Sequence, residues 1–150
     1  MLLVAAVAAL LLTASVPRFQ QTVQRLRAER AAVELAQLLR YAHARAVAQG
    51  LEVRLQWSAT ERRAYLETVA ADGTATRLDE AAARTGSLPD EASLRIASGE
   101  EPAVCDCARL FADGTSDGAT LALTWQPQLM QIVVDGTTSQ VRLSSGPAPR

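Results

Sequence analysis

Hydrophobic and polar positions change their pattern twice along the chain. Residues 1–16, MLLVAAVAALLLTASV, contain no charge and show no polar face. Pro17 and Arg18 end that run. From Phe19 to Gln49 apolar residues recur at helical spacing, with no further proline and no glycine. This predicts one helix that stops at Gly50, where glycine accepts the left-handed conformation of a helix end. Two stripes run along it. Phe19, Val23, Leu26 and Val33 share one face, interrupted by Arg30. Ala28, Ala32, Leu35, Leu39, Ala42 and Ala46 follow roughly the opposite face. The alanine-rich stripe would let a sheet of the same domain approach closely, and the first stripe is left for something else, such as neighbouring subunits.

After Gly50 the period falls to two. Leu51, Val53, Leu55 and Trp57 alternate with Glu52, Arg54 and Gln56, the mark of a half-buried strand. A polar turn over 58–63 leads to a second strand over 64–69, and Asp72-Gly73-Thr74 turns the chain into a short third one over 75–78. Residues 79–90 read as a loop or one helical turn, 93–97 as a strand and 98–108 as a loop. Strands over 109–112 and 120–125 flank the turn-rich stretch 113–118. Strands over 129–134 and 139–143 flank Asp135-Gly136-Thr137-Thr138, the clearest hairpin signal in the chain. Residues 144–150 carry no core side chain and are expected to fray. The sum is an α+β chain with its helix segregated to one end of an antiparallel sheet. It divides into an apolar helix half (1–17), an amphipathic helix half (18–50), a β head (51–143) and a flexible tail (144–150).

With 150 residues, 49% hydrophobic and 21% charged, the chain makes one small domain with a single core. A disordered, collagen-like or disulfide-dense protein is excluded by the same figures. The net charge of −1 hides a split. Residues 1–50 hold six arginines against two glutamates, about +4, and the remainder holds nine arginines against fourteen acids, about −5.

As a helix the first 16 residues cover about 24 Å, short of a hydrocarbon core about 30 Å thick. A secretory signal peptide would need a basic stretch before the apolar run, and a buried core helix would have a polar face. The reading that fits is a transmembrane helix lacking its first few residues.

Candidate chemistry is sparse. His43 is the only histidine and has no co-ligand near it in sequence. No H-E-x-x-H, P-loop or dinucleotide fingerprint occurs, so neither a catalytic set nor a cofactor or metal site is expected. Asp113-x-Thr115-x-Asp117 begins like a calcium loop, but Thr124 stands where that loop needs a glutamate, and a plain turn is the better reading. Cys105-Asp106-Cys107 is half a zinc site with no other cysteine to complete it. A tight disulfide between the two, pairing with another chain, and an incidental bridge in a surface loop all stay open. The arginines of the helix lack the interleaved aromatics of nucleic-acid binders, which favours lipid headgroups or acidic neighbours over nucleic acid.

Three stretches together resemble the minor pseudopilins of bacterial type II secretion, the H-type subunit in particular, and the related minor type IV pilins. Residues 1–17 look like the apolar segment after the family's peptidase site G-F-T-L-I-E, with Pro17 where the family has a proline. LLRYAHARAVAQGLEVRL, residues 38–55, is similar to the family's helix end and first strand, L-R-x-A-R-x-x-A-I-x-x-G-x-x-V. FADGTSDGATLAL, residues 111–123, looks like its F-x-x-D-G-T-S-x-G-G-x-L turn and strand.

The resemblance implies a pilin-like fold and a structural subunit near the tip of a periplasmic pseudopilus that exports folded proteins across the outer membrane. A minor type IV pilin serving pilus assembly or DNA uptake is the alternative. It also implies a leader upstream of Met1 whose motif glutamate directly precedes it. Restoring five residues gives an apolar run of about twenty-one, close to a full span. Cleavage by a prepilin peptidase, with methylation, and a single-pass place in the inner membrane with a periplasmic head follow from the same likeness. Arg18, Arg25, Arg27 and Arg30 alone would put the helix in the cytoplasm; that rule compares two flanks, and the family's orientation prevails here. The membrane and assembly helix is then carried by Leu2, Leu3, Val4, Val7, Leu10, Leu11, Leu12, Val16, Pro17, Phe19, Val23, Leu26 and Val33. Its partners are the lipid bilayer, other pseudopilins and the inner-membrane secretion platform.

Overall fold

The computed structural model describes residues 2–89, 91–99, 105–125 and 128–147, with side chains from residue 22 to residue 146 of these segments. Helix α1 runs Leu2–Gln49. It ends as the sequence predicts: Gly50 takes φ +66°, and the Leu51 amide donates to the Ala46 carbonyl at 3.3 Å. That bond satisfies a carbonyl the last turn would otherwise leave open. Among the described residues no helix is long and apolar enough to cross a membrane. The expected anchor, from Leu2 through Pro17, and Phe19 beyond it, lie outside the residues whose side chains are described.

Among the described residues eight strands follow: β1 (Glu52–Ser58), β2 (Arg63–Val69), β3 (Ala75–Arg77), β4 (Ala92–Ala97), β5 (Ala108–Leu110), β6 (Thr120–Trp125), β7 (Gln128–Val134) and β8 (Val141–Pro147). Among residues 79–89 lies a 3-10 turn, Ala81–Ala83. All strand pairs are antiparallel. They make two four-stranded sheets, ordered β3-β2-β1-β5 and β4-β6-β7-β8. The chain therefore leaves the first sheet for β4, returns to it for β5, and goes back to the second for β6.

Each strand that alternates in sequence buries its apolar face. In the second sheet Leu94 of β4 faces Leu123 of β6, and Ile96 faces Leu121. These side chains, with Ile132 and Val134 of β7, meet Val53, Leu55, Leu66 and Leu110 of the first sheet and Leu35 and Leu39 of α1 in one core. Burying each leucine or isoleucine fully contributes about 1.5–3 kcal/mol, which lets an aliphatic core with few aromatics hold the two sheets and the helix together.

One expectation fails at the C-terminus. Residues 144–147 do not fray: β8 continues to Pro147, with Ser144 opposite Gln131 and Gly146 opposite Leu129. The β head thus extends past residue 143. Backbone pairing to β7 orders this stretch although Ser144 and Ser145 are exposed, so no apolar alternation marks it.

Candidate assembly surface

The two flanks of α1 have separate environments. Ala28, Ala32, Leu35, Leu39, Ala42 and Ala46 are all fully buried against the head. Ala31, Ala36 and Leu38 are buried as well, so the buried face is broader than the stripe traced in sequence. On the opposite flank Leu26 is 51% and Val33 44% exposed, and Val23 is half-buried. Leu26, Arg30 and Val33 line a shallow depression of about 320 Å³ together with Glu29 and Glu34. Val47, 49% exposed near the end of the helix, lies apart from this flank, beside Gly114 of the head. The Arg25–Glu29 ion pair, 2.8 Å and one helical turn apart, lies exposed beside the depression.

Side chains distant in sequence fix the helix in place. Tyr41 donates to Glu80 Oε2 at 2.6 Å, and Arg45 donates to Tyr41 Oη at 2.8 Å and to both oxygens of Glu80. The hydrogen bond from Tyr41, then that from Arg45, holds the Glu80 carboxyl below the usual glutamate range. On the outer face of the first sheet, Glu52 accepts from Arg54 at 2.7 Å and Arg109 at 3.0 Å. Burial pushes its carboxyl up, yet these two bonds outweigh burial and hold it low. Arg62, with φ 52°, spans the sheets by donating to the carbonyls of Leu88, Pro89 and Ala92.

The turn after β5 packs under the helix end. Asp113 Oδ1 accepts from the Thr115 amide at 3.0 Å and its hydroxyl at 2.7 Å, closing the loop on itself. Asp117 points elsewhere, accepting from Ser98 Oγ at 3.1 Å, so the two carboxylates of the calcium-like pattern do not converge. Among the described residues Asp117 Oδ1 is buried without a hydrogen-bond partner, and burial pushes this carboxyl up. His43 is half-buried and faces Gly114. Among the described residues no three His, Cys, Asp or Glu side chains gather where a metal could be held.

Residues 114–118 also spell G-x-S-x-G. A hydrolase nucleophile needs a sharp strand-to-helix turn that exposes its hydroxyl. Here the turn joins two strands, and Ser116 is buried, donating to the Asp135 carbonyl and accepting from the Gly118 amide. Cys105 and Cys107 are joined by a disulfide.

The model of a family described as type II transport protein GspH matches residues 31–146. Among solved structures the chain is similar to EpsH, a minor pseudopilin of the type 2 secretion system of Vibrio cholerae, with 18% identity, 79% of this chain and 96% of that one covered, and a TM-score of 0.62. FimU, a type IV minor pilin of Pseudomonas aeruginosa, is similar at 18% identity, with 82% and 92% covered and a TM-score of 0.59. GspH of E. coli, solved in solution, is similar at 20% identity, with 82% and 89% covered and a TM-score of 0.57. At these identities the likeness shows a shared fold, a long helix on an antiparallel head. No curated protein matches the chain in sequence.

Proposed function

Because the chain belongs to the type II transport protein GspH family, we propose that it works as a minor pseudopilin near the tip of the secretion pseudopilus, in the export of folded proteins across the outer membrane. The observation that carries this reading is the exposed Leu26–Val33 flank, set opposite the face that α1 gives to its own head. Apolar side chains left in water on one side of a helix gain by packing against another such helix, which is the chemistry of a helical filament core. Arg25, Arg27 and Arg30 border the flank and suit acidic neighbours or lipid phosphates, while the head carries the acidic balance of the chain. The role is structural. The apolar residues from Leu2 to Val16 anchor the subunit in the inner membrane, where it meets the secretion platform and where a prepilin peptidase removes the cytoplasmic leader of the precursor, and its head stands in the periplasm among other pseudopilins.

The likeness to FimU favours a second reading, a minor type IV pilin. Deleting the gene and measuring exoprotein release and DNA uptake side by side separates the two. Lost release with normal uptake supports the secretion role. Lost uptake with normal release overturns it in favour of the pilus.

A further inference from the structure

The Cys105–Cys107 bridge takes no part in the packing surface. Its two sulfurs are joined across one intervening residue. A crosslink removes freedom from the unfolded chain in proportion to the logarithm of the loop it closes, so a ring this short adds little to the stability of the fold. The two cysteines also differ in setting. Cys107 is 0% exposed and leads straight into β5, where Ala108 pairs with Leu55. Cys105 is half-buried, and Asp106 between them is exposed.

Asp106 lines a cavity of about 450 Å³ with Trp57, Leu94, Arg95 and Ile96. The cavity lies between the end of β1, which β5 pairs only as far as Leu55, and β4, an edge strand of the second sheet. The bridge thus flanks this cavity through Asp106, with Cys105 partly exposed and Cys107 buried. On the cavity wall Arg95 favours an incoming anion and Asp106 opposes it.

We propose that Cys105–Cys107 is a thiol–disulfide exchange site, with Cys105 as the attacked sulfur and a thiol such as glutathione, or a dithiol protein, as the reacting class. An incoming thiolate bonds to Cys105 Sγ as the Cys105–Cys107 bond breaks, and the electron pair leaves on Cys107 Sγ, which takes up a proton. The second thiol of a dithiol then attacks the sulfur bound to Cys105 and expels Cys105 as a thiolate. The bridge ends reduced and the dithiol ends as its disulfide; the reverse sequence restores the bridge. This chemistry is independent of the proposed assembly role.

The test uses the full chain and two variants, Cys107→Ser and Cys105→Ser, each checked for its fold by circular dichroism and incubated with oxidised glutathione. Mass spectrometry follows the mixed disulfide. Cys107→Ser, which keeps the approachable thiol, is expected to react, and Cys105→Ser roughly tenfold more slowly, because its remaining thiol is buried. In the unaltered chain, limiting reduced glutathione followed by alkylation is expected to trap glutathione on Cys105 with Cys107 alkylated, a readout that stands if a variant fails to fold. Reduction is expected to change the fluorescence of Trp57, a change that Trp57→Phe removes. Equal reaction of the two variants, glutathione trapped on Cys107, or a bridge that stays intact under reduced glutathione overturns the proposal.

Discussion

Tyr41 and Glu80 lie 39 residues apart and share a hydrogen bond of 2.6 Å that fastens the helix to the connection after β3. Since the bond holds Glu80 below the usual glutamate range, the folded state favours its ionised form. The resulting stability is fully present above that range and is lost as pH falls through the lowered folded-state value. Tyr41→Phe is expected to be less stable than the unaltered chain at neutral pH and to converge with it in acid. Denaturant midpoints measured down the pH scale check this; a gap that stays constant would show that the pair contributes nothing to the acid limb.

Asp117 carries the opposite sign. Burial raises its folded-state value, so its contribution is most favourable in acid and is lost as pH rises through that value. Asp117→Asn keeps the acceptor for Ser98 and removes the buried charge. The variant is expected to gain stability at neutral pH and to lose that advantage in acid. A variant less stable at neutral pH would mean that the carboxylate has a partner worth more than its desolvation.

The two flanks of α1 make separable predictions. Ala42 is fully buried where the helix meets the head, so Ala42→Leu overpacks the contact and is expected to cost about 1–3 kcal/mol of folding stability. Leu26→Ser with Val33→Ser removes exposed side chains and is expected to leave the unfolding free energy within about 0.5 kcal/mol of the unaltered chain. Exoprotein release is expected to fall with the double variant although its fold is intact. Thermal unfolding and a secretion assay on the same variants read both halves; normal secretion by Leu26→Ser with Val33→Ser would sink the assembly flank.

Gly99 looks replaceable, being exposed, yet a methyl group there would run into the Asp117 carbonyl oxygen and come within 2.7 Å of that of Gly118. Both obstacles are backbone and cannot swing aside. Gly99→Ala is expected to cost about 1–3 kcal/mol, well beyond an ordinary surface change. Glycine 73, with open space around it but φ +83°, offers the contrast: Gly73→Ala should cost only its backbone strain of about 1 kcal/mol. Equal midpoints for the two variants would refute the steric account.

What the sequence made legible was whatever burial imprints as periodicity. The alanine stripe from Ala28 to Ala46, the stop at Gly50 and the alternation of β1, β4 and β6 all follow from side chains choosing between core and water. Pairing between strands leaves a weaker trace. Period two shows that Leu94 and Leu110 face a core, but not that β4 belongs to one sheet and β5 to the other. The last residues of β8 are ordered by backbone bonds alone, and the Tyr41–Glu80 contact joins two polar residues whose nearness only the folded chain creates. The exposed Leu26–Val33 flank was visible as a stripe, whereas Val47 falls off its spacing.

The alternating visits of β4 and β5 to the two sheets bind their fates together. No single cut in the chain separates the two sheets into two pieces, because the first sheet is finished only after the second has begun. The head therefore has no internal seam along which half of it could unravel while the other half stands. A pull on the helix, which touches both sheets, meets one cooperative body that yields all at once or holds.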